Sequence, residues 1–178
     1  RLPGAIPKLR AFAISLARDV TRADDLVQET ILKAWSNIDK FDPATNLDAW
    51  LFTILRNTFY SSLRKSRREV QDSDGAFAAT LSVKPAHDGR LALQEFQRAF
   101  DLLSPEHREV LILVGASGFS CEEAAGMMGV AIGTVKSRAS RARKRLAELL
   151  HLEDGEDMFS GTDGATQAVV LRSTAAGS

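Results

Sequence analysis

Apolar positions recur along most of this chain at three- and four-residue intervals, the spacing that places them on one face of an α-helix. In residues 5–20, Leu9, Phe12, Ala13 and Leu16 share such a face. Residues 21–24 read as a turn and helix start. A second helix follows over 23–38, with Val27, Ile31, Ala34, Trp35 and Ile38 as its core stripe. Residues 41–46 (FDPATN) form a loop punctuated by Asp-Pro. Thr45 can cap a third helix over 47–68, with Asp48 as the reciprocal acid. Its buried candidates are Leu47, Leu51, Ile54, Leu55 and Phe59. Periodicity fails over 70–89, which collects Ser, Asp, Gly, Pro and Ala, and resumes over 91–103 with Leu91, Phe96, Ala99, Phe100 and Leu103. Ser104-Pro105 then starts a further helix, proline being suited to the first helical position.

The stretch 118–150 is the most structured part of the pattern. Ser120 followed by Glu123 is a capping box for a short helix, and Gly129 suits that helix's end, where a residue free to take positive φ is favoured. A second helix opens near Gly133-Thr134 and meets no breaker before Leu150. Val135, Ala139, Ala142 and Leu146 form its buried stripe. Lys136, Ser137, Ser140, Arg141 and Lys144 fall mainly on the opposite side, and the helix carries no acid before Glu148. Two such helices around a tight turn make a helix-turn-helix, and a basic second helix with short hydroxyls can enter a major groove. The plainer alternative is a helical hairpin with a solvated basic face.

Charge sharpens this picture. The 23 basic and 23 acidic residues cancel, so the basicity is local to particular surfaces. The single cysteine, Cys121, excludes an internal disulfide and fits a reducing cytoplasm, the expected location. No apolar run approaches membrane-spanning length. Three histidines stand apart from any metal-ligand spacing, and neither a phosphate-binding glycine loop nor a nucleophile elbow is present. The expectation is a protein with no catalytic residues, no metal site and no cofactor.

Two surfaces stay open to more than one reading. On the second helix, Asp25, Gln28 and Glu29 surround a lone Leu32. That is either ordinary surface or a partner-binding patch. On the third, Trp50, Phe52, Asn57 and Tyr60 precede the basic run Arg64, Lys65, Arg67 and Arg68. Cations at a helix C-terminus suit its dipole, while aromatics beside cations also suit a single nucleic-acid strand.

Three segments resemble extracytoplasmic-function (ECF) sigma factors: ADDLVQETILKAW at 23–35, TNLDAWLFTILRNTFYSSLRK at 45–65, and LSPEHREVLILVGASGFSCEEAAGMMGVAIGTVKSRASRARKRL at 103–146. The similarity extends over both helical regions, nearly everything from 9 to 150, and the wording VGASGFSCEEAA, with TNLDAWLFTILRNTFY, looks most like the EcfG type, the alphaproteobacterial general stress sigma factors. The resemblance implies an all-α fold of two small helical domains joined by a flexible linker. Sigma region 2 would occupy 1–69, the linker 70–89 and a helix-turn-helix sigma region 4 residues 90–152. The tail, 153–178, is outside the motifs and reads as disordered, with one β-prone island at 168–171.

The resemblance also assigns roles. Asp25, Gln28, Glu29 and Leu32 would dock on the clamp helices of the polymerase β′ subunit. The −10 element would meet Phe41, Asn46, Arg56, Asn57, Tyr60, Arg64, Lys65, Arg67 and Arg68, with a base flipped into a pocket between the 41–46 loop and Asn57. The −35 element would meet Thr134, Lys136, Ser137, Arg138, Ser140, Arg141 and Lys144. Helices flanking 106–114 would meet the β flap. Implied partners are core RNA polymerase, promoter DNA and a NepR-type anti-sigma factor that a phosphorylated PhyR-type regulator takes away. A linker of about 20 residues reaches at most roughly 65 Å, against roughly 50–60 Å between the two promoter elements. The rival readings are a stand-alone helix-turn-helix regulator and a sigma mimic that sequesters an anti-sigma factor.

Overall fold

The structure is a computed structural model and describes residues 2–72 and 89–151. Among these residues there is no strand, as the all-α expectation requires. The helices are α1 (Leu2–Ala17), α2 (Val20–Ser36), α3 (Leu47–Asp72), α4 (Gly89–Asp101), α5 (Pro105–Val110), α6 (Cys121–Met128) and α7 (Ile132–Leu149). A short 3₁₀ turn, Ile38–Lys40, follows α2, and a wide π-type segment, Leu111–Ala116, prolongs α5. Helices α1, α2 and α3 pack on one another, and α5, α6 and α7 form a second bundle. The expected linker lies mostly outside the described residues: α3 runs on to Asp72, four residues past its expected end, and α4 starts at Gly89. The tail 153–178 and its island at 168–171 also lie outside them.

Much of the predicted core is buried. Leu9, Phe12 and Ala13 are fully inaccessible, Leu16 nearly so, and Leu51 and Leu55 face them from α3. Val135, Ala139, Ala142 and Leu146 bury the inner side of α7. The capping box of Ser120 and Glu123 closes in both directions, at 3.1 and 2.8 Å. Gly129 ends α6 at φ 65°, a left-handed conformation that favours glycine.

The stripe on α2 departs from expectation. Trp35 is 72% exposed and Ile38 46% exposed, although both were read as core. The buried positions are Ala23, Leu26, Val27, Thr30 and Ala34, a stripe turned about one residue from the predicted one. Small side chains explain the turn. Ala23, Thr30 and Ala34 let α2 approach its neighbours closely, and Thr30 satisfies its hydroxyl internally by donating to the Leu26 carbonyl at 2.7 Å. A tryptophan has no room on that side. Leu91, also expected in the core, lies in the first turn of α4 and is 55% exposed; burial on that helix begins farther along, with Ala99.

Two caps also differ. Asp19, not the 21–24 segment, starts α2, its carboxylate accepting from the Arg22 amide at 2.8 Å. Asn46 rather than Thr45 caps α3, accepting from the Asp48 amide at 3.0 Å. The Thr45 hydroxyl instead donates to the Asp42 carbonyl and tightens the loop.

Candidate nucleic-acid and polymerase interfaces

The outer face of α2 carries Asp25, Gln28, Glu29 and Leu32, all exposed. Leu32 is not the lone apolar group of the sequence reading. Trp35 and Ile38 continue it at three-residue steps, giving a short apolar strip edged by carboxylates. Glu29 is bridged to Lys33 one turn on, at 2.7 Å. Helical spacing placed Trp35 and Ile38 in the core stripe, but both positions also border the Leu32 face, and the period alone does not say which way the helix turns.

Lys33 also turns the corner to a second feature. Its ammonium donates to the Thr58 hydroxyl at 3.1 Å and lines an open cleft of about 430 Å³ with Lys40, Trp50, Ile54, Asn57 and Ser61. Trp50, Ile54, Asn57 and Ser61 are successive turns of one face of α3. Of the predicted −10 residues, Asn57 lines this cleft and Phe41 stands behind it, its ring 5.0 Å from that of Trp50. Asn46 sits away from it, occupied as the α3 cap. The cleft offers cations, hydroxyls, an amide and an indole wall, a combination that can hold an unstacked base and its phosphate. Lys33, Lys40, Thr58 and Ser61 were not singled out from sequence, because their convergence needs two helices at once.

Farther along α3, Arg64, Lys65, Arg67 and Arg68 are all exposed. Arg56 and Tyr60 are half-buried and differ from them in kind. The Arg56 guanidinium lies 4.8 Å from the centre of the Tyr60 ring. Both side chains bind the carboxylate of Glu109 in α5, Arg56 through Nε and Tyr60 through its hydroxyl at 3.0 Å. Burial, then the charge and hydrogen bond of Glu109, hold the Tyr60 phenol far above its usual range.

On α7, Lys136, Ser140, Arg141 and Lys144 point to solvent. Thr134, Ser137 and Arg138 are half-buried, and the Ser137 hydroxyl donates to the Thr134 carbonyl at 3.1 Å. The exposed cations and serine share one side of the helix that crosses α6 after the Gly129 turn. Among the described residues no group of histidine, cysteine and acidic side chains is placed to hold a metal ion, and no helix is long and apolar enough to cross a membrane.

These features match a known pattern. The sigma-70 region 2 family matches residues 5–69, and sigma-70 region 4 matches 93–146. The ECF RNA polymerase sigma factor EcfG of Rhodopseudomonas palustris is 55% identical over 166 residues, covering 93% of this chain and 91% of the relative. The chain belongs to the ECF RNA polymerase sigma factors. Among solved structures, the sigma factor RpoE of Bartonella quintana, in complex with the anti-sigma factor NepR, is 56% identical. It aligns at a TM-score of 0.78 over 86% of this chain and 96% of that one. CnrH, solved with the cytosolic domain of CnrY, is 28% identical at a TM-score of 0.53, over 83% and 82% of the two chains. As a sigma factor, the chain serves transcription initiation by RNA polymerase, with α6 and α7 as the helix-turn-helix of region 4.

Proposed function

We propose that this sigma factor serves a general stress response and is held in check by a small helical anti-sigma factor. Its likeness to EcfG and to a relative solved with NepR supports this reading. An inhibitor seated on the strip of Leu32 and Trp35, and on Leu102 in the second half, would cover exposed apolar surface and exclude polymerase.

The observation that carries the division of labour is the placing of two surfaces side by side on α2, joined at the Glu29–Lys33 pair. The strip at Asp25, Gln28, Glu29, Leu32 and Trp35 takes the clamp helices of β′, and Lys33 opens on the cleft that takes a flipped −10 base. Arg64, Lys65, Arg67 and Arg68 hold phosphates downstream of that base, and Lys136, Arg141 and Lys144 read the −35 duplex. The protein itself performs no catalysis; polymerase does. A helix-turn-helix regulator acting alone would leave both the strip and the cleft unused.

Run-off transcription with purified core polymerase on a promoter carrying EcfG-type elements tests this. A transcript that needs the protein, and that a NepR-type inhibitor abolishes, is the expected result. Duplex binding without a transcript would instead favour the stand-alone regulator.

A further inference from the structure

The two halves of the molecule meet through charged groups that neither polymerase docking nor duplex reading requires. Glu109 is wholly buried, and both its carboxylate oxygens are taken by groups from the other half, Arg56 and the Tyr60 hydroxyl. Its neighbour Arg108, 2% exposed, donates to the Ser15 carbonyl at 2.7 Å and the Leu16 carbonyl at 3.2 Å, at the end of α1, and to Leu103. Arg18 returns the contact by donating to the Asp101 carbonyl, at the end of α4, at 2.8 Å. Adjacent residues of one short helix therefore grip the first half on two sides.

Arg56 and Tyr60 are also residues assigned above to the −10 strand. The one hydroxyl hydrogen of Tyr60 is committed to that carboxylate, and Arg56 is turned onto it through Nε with Nη1 beside Asn57, so neither side chain is placed to meet a phosphate or a base edge while the contact holds. We propose that Glu109 is an autoinhibitory latch: its carboxylate stands in for nucleic acid on Arg56 and Tyr60, so that closure of the two halves and capture of the −10 strand exclude one another. The inference rests on the −10 reading of those two residues.

Energetics favour a latch over a permanent weld. A buried ion pair gains little net stability, because desolvation offsets its attraction. Burial pushes the Glu109 carboxyl above the usual carboxylate range, against the opposing influence of Arg56, Tyr60 and Arg138. The closed form is thus held by a contact whose loss on opening is partly repaid by hydration. Arg138, one of the predicted −35 residues, lies within the field of the same carboxylate and in the same half, so it remains beside Glu109 when the halves part.

The full chain, with Cys121→Ser, Thr21→Cys and Glu122→Cys for spin labels on α2 and α6, reports the separation of the halves. The probe is a short single strand carrying an EcfG-type −10 element. In the chain otherwise unchanged, saturating probe is expected to lengthen the interlabel distance, because linkage is reciprocal. Glu109→Gln, and separately Arg108→Gln, are expected to lengthen it without probe and to tighten probe binding, about tenfold if one molecule in ten is open to begin with. A distance that neither substitution nor probe changes overturns the latch. Opening without tighter binding overturns the competition. Arg56→Ala within the Glu109→Gln chain tests the −10 reading separately: weaker binding supports it, and unchanged binding sinks it whatever the distances show.

Discussion

Arg18 and Arg108 exchange helix ends across the two halves of the molecule. Arg108, from α5, caps the last carbonyls of α1, and Arg18, just past α1, caps the last carbonyl of α4. A cation at a helix C-terminus is favoured by the dipole and by unpaired carbonyls there. Their burial separates their energetic weight. Arg18 is exposed, so Arg18→Ala should cost about 1 kcal/mol or less. Arg108 is buried and donates to three carbonyls, so Arg108→Ala should cost more than Arg18→Ala, about 1–2 kcal/mol, a loss limited because opening of the halves hydrates the α1 carbonyls. Urea unfolding of the two variants checks the contrast, and equal losses would refute it.

The chain holds a single tyrosine, which makes the Tyr60 environment directly visible. Burial and the nearby Glu109 carboxylate hold its phenol above the ordinary 10.0. The folded state therefore prefers the neutral phenol. Its contribution to stability is complete below pH 10.0 and is lost as pH rises beyond that value. Tyrosinate absorbance should accordingly appear only well above the ordinary midpoint, and together with opening of the structure. In Glu109→Gln the midpoint should fall toward 10.0. An ordinary titration in the unchanged protein would show that the Tyr60–Glu109 contact does not persist in solution.

Helical period and local chemistry made most of the fold legible. The Ser120–Glu123 box, the Gly129 turn and the Val135–Leu146 stripe depend on neighbours within a few residues, and all three are present. Where packing between elements decides, the sequence was silent or misleading. Trp35 read as core from its helical spacing, but Ala34 and Thr30 take the side of closest approach. Phe52, read with the aromatics suited to a nucleic-acid strand, is buried between Phe12 and Phe119, at ring distances of 4.8 and 5.3 Å. Glu109 gave no signal at all, since its partners lie 49 and 53 positions away.

The docking strip yields a test in which folding and binding separate. Gln28, Glu29 and Trp35 are all exposed, so their truncation should leave the helical circular dichroism and unfolding midpoint close to those of the unchanged protein. Gln28→Ala with Glu29→Ala should weaken core polymerase binding. Trp35→Ala should weaken it further, by about 2 kcal/mol if the indole is an anchor of the interface. Normal affinity in all of these variants would remove the strip from the polymerase interface and return it to ordinary surface.

The exposed cations of α7 differ from the buried ones of α5 in what they can read. Lys136, Arg141 and Lys144 lie on one side of a helix whose other side is fixed by Val135, Ala139 and Ala142. A helix held this way presents its outer side chains to a groove without rearranging. Each bidentate contact to a base should be worth about 1–3 kcal/mol, felt only on DNA carrying that base. Lys136→Ala and Arg141→Ala should therefore lose preference for the −35 element while keeping weak, salt-sensitive binding to other duplexes. Titrations on matched and scrambled duplexes at two salt concentrations resolve the roles. A loss of equal size on both DNAs, with a shallower salt dependence, would make these side chains phosphate contacts and move base reading elsewhere on the helix.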